Sequence, residues 1–64
     1  MNIKIARIKV GLTQKELAQI VGISHVTIGK LEKGNYDGIS KGNMIKIAAA
    51  LNSTVQELFF SNEE

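Results

Sequence analysis

Apolar residues recur along this chain three and four positions apart, and no stretch alternates apolar and polar side chains long enough to make a strand. A first helix is expected from Asn2 to Val10, with Gly11 able to take the left-handed conformation that closes a helix. Thr13 and Glu16 make a capping box, hydroxyl and carboxylate each closing a free backbone N–H. The second helix therefore opens at Thr13, turns Leu17, Ala18, Ile20 and Val21 inward, and stops at Gly22. The third opens at Ser24, buries Ile28 and Leu31, leaves His25, Val26, Thr27 and Lys30 on other faces, and ends at Gly34. Gly29 inside it costs up to about 1 kcal/mol relative to alanine; it either admits a neighbouring backbone or is simply tolerated.

Residues 34–40 form a polar loop. Ser40 caps a fourth helix carrying Met44, Ile45, Ile47, Ala48 and Leu51, and Asn52 ends it in the left-handed region. Thr54 and Glu57 repeat the capping box, so a short fifth helix carries Val55, Leu58 and Phe59. The tail, Ser61 to Glu64, is expected to fray. Five short helices with tight connections imply an all-α fold in a single domain spanning residues 1–64. Val21, Ile28, Leu31, Ile47, Leu51 and Leu58 are the core candidates.

Composition supports a folded domain: 44% of the 64 residues are hydrophobic, too many for a disordered chain. Without cysteine, neither disulfides nor thiolate metal sites are available, which fits a reducing cytoplasm. No apolar run is long enough for a membrane span or a signal peptide. Charge is unevenly placed. Residues 1–56 hold all eight Lys and Arg against Glu16, Glu32 and Asp37, a net +5, while Glu57, Glu63 and Glu64 give the end of the chain −3. A basic body suits a polyanionic partner, and a solvated surface explains it equally well. No catalytic arrangement is visible, and an enzyme is not expected. His25 is the single histidine and has no carboxylate beside it in sequence, no phosphate-cradling glycine loop occurs, and no cofactor or metal site is evident.

The most informative segment is TQKELAQIVGISHVTIGKLEKG, Thr13 to Gly34: two short amphipathic helices joined at Val21-Gly22-Ile23. Helices so closely joined must cross steeply, and such a pair can lay one helix in the major groove of DNA while the other braces it. With Gly11-Leu12-Thr13-Gln14, Glu16-Leu17-Ala18, Val21-Gly22-Ile23-Ser24, Ile28, Leu31-Glu32-Lys33-Gly34, Ile47-Ala48, Ala50-Leu51 and Glu57-Leu58-Phe59, the chain resembles the Cro and phage-repressor type of helix-turn-helix domain, the Xre family, over residues 3–60.

That resemblance implies a compact five-helix, lambda-repressor-like fold with helices 2 and 3 as the helix-turn-helix. It implies a cytoplasmic, nucleoid-associated, bacterial or phage-encoded regulator, usually a repressor, that binds a near-palindromic operator as a homodimer. Carried over by position, His25, Val26, Thr27 and Lys30 would contact bases, and Gln14, Lys15, Lys33, Asn35 and Tyr36 would contact phosphates. Arg7 and Glu32 would form a structural salt bridge. Val26 can only pack on a thymine methyl, whereas His25 could donate to guanine N7 or O6. Tyr36 could instead pack as a lid over the core. Phe60 cannot face inward beside Phe59 and, with Val55, is a dimer candidate. The chain departs from the family in its proline-free loop, in Asp37 near the expected phosphates, and in an unusually apolar first helix. The competing reading is an antitoxin or protein-interaction module that uses Ile5, Ile8 and Val10 and binds DNA secondarily. No small-molecule ligand is evident.

Overall fold

Each helix of the chain begins where a side-chain oxygen takes over a backbone N–H that has no helical partner. Asn2, Thr13, Ser24, Ser40 and Thr54 are all extended N-caps, and each accepts from the N–H three residues on. Thr13 with Glu16 and Thr54 with Glu57 close complete capping boxes. The computed structural model describes residues 2–60 and contains α1 (Ile3–Lys9), α2 (Gln14–Val21), α3 (His25–Glu32), α4 (Lys41–Ala50) and α5 (Val55–Phe59). No strand occurs among the described residues. The tail expected to fray, residues 61–64, lies outside them.

The helix ends are equally specific. Gly11 and Gly34 have positive φ, and both α1 and α3 end in paired backbone bonds across that glycine. After α4 the same role falls to Asn52, at φ +54, the one non-glycine among the described residues in this region. Ser53 N–H then reaches Ala48 O at 2.9 Å and closes the helix.

α2 packs on both α3 and α4, α5 packs on α4, and α1 packs on α3. Ile3, Leu17, Ile28 and Ile47 are the largest fully buried side chains, one each from α1 to α4. All six core candidates are buried, joined by Ile3, Ala6, Leu17, Ala18, Ala48 and Phe59. One assignment of face is corrected. Ile20 is 60% exposed, although it was expected inward, and Ile45 of α4, assigned to no face by the sequence, is 52% exposed. Successive residues turn about 100° around a helix, so Ile20 points well away from the Leu17, Ala18 and Val21 stripe. Ile45 likewise sits at the margin of the stripe made by Ile47, Ala48 and Leu51. No helix among the described residues is long and apolar enough to cross a membrane.

Candidate nucleic-acid interface

The site is built on the turn between α2 and α3. Gly22 sits at φ +87, ψ +30, where an L side chain is strained, and its N–H and that of Ile23 both reach Ala18 O, at 2.8 and 3.1 Å. The chain therefore reverses direction within three residues, and Ser24 caps α3 at once. Ile28 and Leu31 root α3 in the core.

The opposite face of α3 is left to solvent. His25, Val26 and Lys30 are exposed, Val26 by 58%, and Lys33 follows at the exposed C-cap. Gly29 lies among them, and a Cβ placed there would meet nothing within 4 Å. No neighbouring backbone therefore requires this glycine, and the fold tolerates it. Thr27 is only half-buried and locally engaged: its N–H donates to Ser24 Oγ at 3.1 Å, and the two hydroxyls lie 3.0 Å apart. It belongs to the edge of the face rather than its centre.

Past α3, the Asn35 carboxamide oxygen accepts from Asp37 N–H at 3.1 Å, an Asx turn that shapes the loop. This uses the acceptor of the side chain and leaves its amide N–H groups as donors. Tyr36 is half-buried, with its ring edge-on to Phe59 at 5.2 Å between centroids and 70° between planes. The ring is thus a lid on the core, which ties the loop after α3 to α5. Lys15 is exposed at the start of α2 and, with Glu16, Gln19, Gly22 and His25, lines a shallow open depression.

Behind this face is a polar cluster. Arg7 Nε donates to Glu32 Oε2 at 2.6 Å, and Arg7 Nη2 to Oε1 at 3.4 Å. Arg7 Nη1 donates to the Leu12 carbonyl at 2.8 Å. The two charged side chains are only 10% and 6% exposed. Gln14 joins the cluster, its Nε2 donating to Glu32 Oε1 at 2.9 Å. Burial pushes the Glu32 pKa up, but hydrogen bonds from Arg7 and Gln14 and the charges of Arg7 and Lys4 outweigh it and hold the carboxyl below its ordinary value. Every buried side-chain nitrogen or oxygen among the described residues has a partner.

The Gln14–Glu32 contact has no signature in the sequence, because the residues are 18 positions apart and no periodicity relates them. It could have been sought in the charges: Glu32 is the one acid of α3, and the resemblance already pairs it with Arg7 of α1. Of the dimer candidates, Val55 packs against the core cluster, while Phe60 is 53% exposed. No group of three or more potential metal-ligating side chains occurs among the described residues.

The Helix-turn-helix family profile matches residues 3–58. Two curated relatives, each described as an uncharacterized HTH-type transcriptional regulator of Archaeoglobus fulgidus, are 42% identical to the chain over 63 residues. The matched region covers 98% of this chain and 89% and 87% of theirs. Both relatives are archaeal, whereas the sequence resemblance pointed to bacteria and phages. No solved structure matches the chain.

Proposed function

Because this chain belongs to the Xre-type helix-turn-helix family, we propose that it is a sequence-specific double-stranded DNA-binding regulator of transcription that reads its site with α3 in the major groove. The observation that carries this reading is the outward face of α3. His25, Val26, Gly29, Lys30 and Lys33 are not needed by the core, while Ile28 and Leu31 fix the helix rigidly from behind.

His25 and Lys30 supply hydrogen bonds to base edges, and Val26 packs on a thymine methyl. Thr27, engaged with Ser24, sits at the groove wall. Gln14, Lys15, Lys33, Asn35 and Tyr36 set position and affinity through phosphates. Tyr36 can do so while its ring stays on Phe59, since a tyrosine often buries its ring and keeps its hydroxyl at the surface. Residues 1–64 act as one DNA-binding unit. Two copies, meeting through Phe60 and the adjoining edge at Val55, place their third helices about 34 Å apart on a near-palindromic operator. Occupying a promoter there excludes polymerase and represses.

The test is a footprint on the DNA upstream of the protein's own gene, at two salt concentrations, with wild type, His25→Ala and Lys30→Ala. Protection of a near-palindrome by the wild type, with the pattern lost or altered in either variant, supports the reading. Weak, uniform protection erased by salt and indifferent to both substitutions contradicts it.

A second reading, an antitoxin-type interaction module, draws on α1 and its C-cap, where Ile5, Ile8 and Val10 are 48%, 58% and 37% exposed. It predicts tight binding to a protein encoded next to this one and no salt-sensitive operator.

A further inference from the structure

Glu32 does more than neutralise Arg7. A carboxylate can only accept hydrogen bonds, so the Gln14 atom 2.9 Å from Glu32 Oε1 must be the amide nitrogen. The usual ambiguity between the two ends of a glutamine amide is thereby removed. One of the two Nε2 protons is committed to Glu32, and the other is left for an acceptor outside the fold. The acceptor that holds Gln14 is itself fixed, because Arg7 binds both oxygens of Glu32 and anchors its own third contact on the Leu12 carbonyl in the turn before α2.

We propose that Glu32 is a positioning residue for DNA binding: it holds the Gln14 amide so that its remaining N–H is presented to a phosphate oxygen. The inference rests on the reading of Gln14 as a phosphate ligand and goes beyond it by naming what orients that ligand. A surface glutamine without an anchor loses rotamer freedom when DNA arrives, whereas here that loss has already occurred on folding. The relay also links the end of α1, the start of α2 and the end of α3, so the bracing helix and the reading helix are held in one register where the phosphate would sit. Gln14 as a mere filler of a spare lone pair on Glu32 is the alternative that the experiment must separate.

Four proteins are compared for affinity to the site that the wild type protects: wild type, Gln14→Met, the pair Arg7→Met with Glu32→Met, and all three changes together. Replacing both members of a buried ion pair leaves no lone buried charge, so the fold is retained, and a thermal melt checks this. Gln14→Met should weaken binding on the order of tenfold, the size of a hydrogen bond to a charged partner. The pair variant should lose a similar factor with Gln14 still present, and the triple variant should be no weaker than Gln14→Met alone. An unaffected pair variant, or a triple variant whose loss is the product of the other two, overturns the proposal. Side-chain amide nitrogen relaxation in the free wild type gives an independent readout. A Gln14 amide as ordered as the helix backbone is expected, and a freely moving one overturns the proposal without any variant. If the wild type recognises no specific site, the DNA-binding reading itself fails. A specific site together with an unaffected pair variant removes the role of Glu32 alone.

Discussion

Arg7 of α1 and Glu32 of α3 lie 25 residues apart in the chain, and the Arg7 Nε sits 2.6 Å from the Glu32 Oε2. Both side chains are almost wholly buried, so removing one leaves an uncompensated charge. Glu32→Ala is expected to cost roughly 3 to 5 kcal/mol, while changing both residues to methionine is nearly neutral. The pair also sets a pH dependence. The Glu32 carboxyl titrates below its ordinary value of 4.5 in the fold, so its contribution is fully present above that value and is lost as pH falls through the lower, folded one. Thermal melts between neutral pH and strong acid should show the wild type losing stability more steeply than the Arg7→Met, Glu32→Met variant at the acid end. Parallel curves would contradict this.

Two glycines of the helix-turn-helix should respond oppositely to alanine. Gly29 is helical and its surroundings are empty, so Gly29→Ala should stabilise by about 0.8 to 1 kcal/mol. In a domain of this size that raises Tm by roughly 4 to 8 °C. Gly22 also has open surroundings, but its φ of +87 penalises any Cβ, so Gly22→Ala should cost roughly 1 to 2 kcal/mol. Calorimetry on both variants checks the pair. A destabilised Gly29→Ala would mean that the helix needs this glycine for a reason its contacts do not reveal.

Ile45 and Ile47 occupy the same helix with opposite fates, 52% and 0% exposed. Ile47→Ala removes a filler of the centre and should cost roughly 2 to 5 kcal/mol. Total stability at about 0.05 to 0.15 kcal/mol per residue is of the same order, so this variant should lose a large share of it and unfold at far lower urea than the wild type. Ile45→Ala should stay within about 0.5 kcal/mol of wild type by urea denaturation. Equal losses would place Ile45 in the core.

The boundaries of these helices are legible in the sequence because they are local. A hydroxyl or carboxamide cap and a glycine or asparagine stop act within three or four residues, so Thr13, Ser24, Gly22 and Asn52 declare their roles without tertiary information. Faces are less legible. α1 carries Ile3 on one side and Ile5 and Ile8 on the opposite side, so periodicity cannot single out Ile3 and Ala6 as the buried ones. Ile20 misleads similarly, being apolar beside the true stripe. The outward set on α3 follows once Ile28 and Leu31 are known to face inward. Partnerships across the chain are the least legible. The family resemblance suggests that Arg7 meets Glu32, yet neither the capture of Gln14 by that pair nor the edge-on seat of Tyr36 on Phe59 has a counterpart in spacing or composition.

If the outward face of α3 reads bases, as proposed, its side chains set the sequence that the protein selects. The most direct measurement is selection from a randomised duplex pool, run in parallel with wild type and Lys30→Gln. The wild type should enrich two half-sites in inverted repeat, their centres one helical turn apart. Lys30→Gln should enrich the same repeat with a changed base preference at one position in each half-site, as expected when one side chain that contacts a base edge is replaced. Enrichment of an identical sequence by both proteins, or of no sequence by the wild type, would mean that this face of α3 does not read bases.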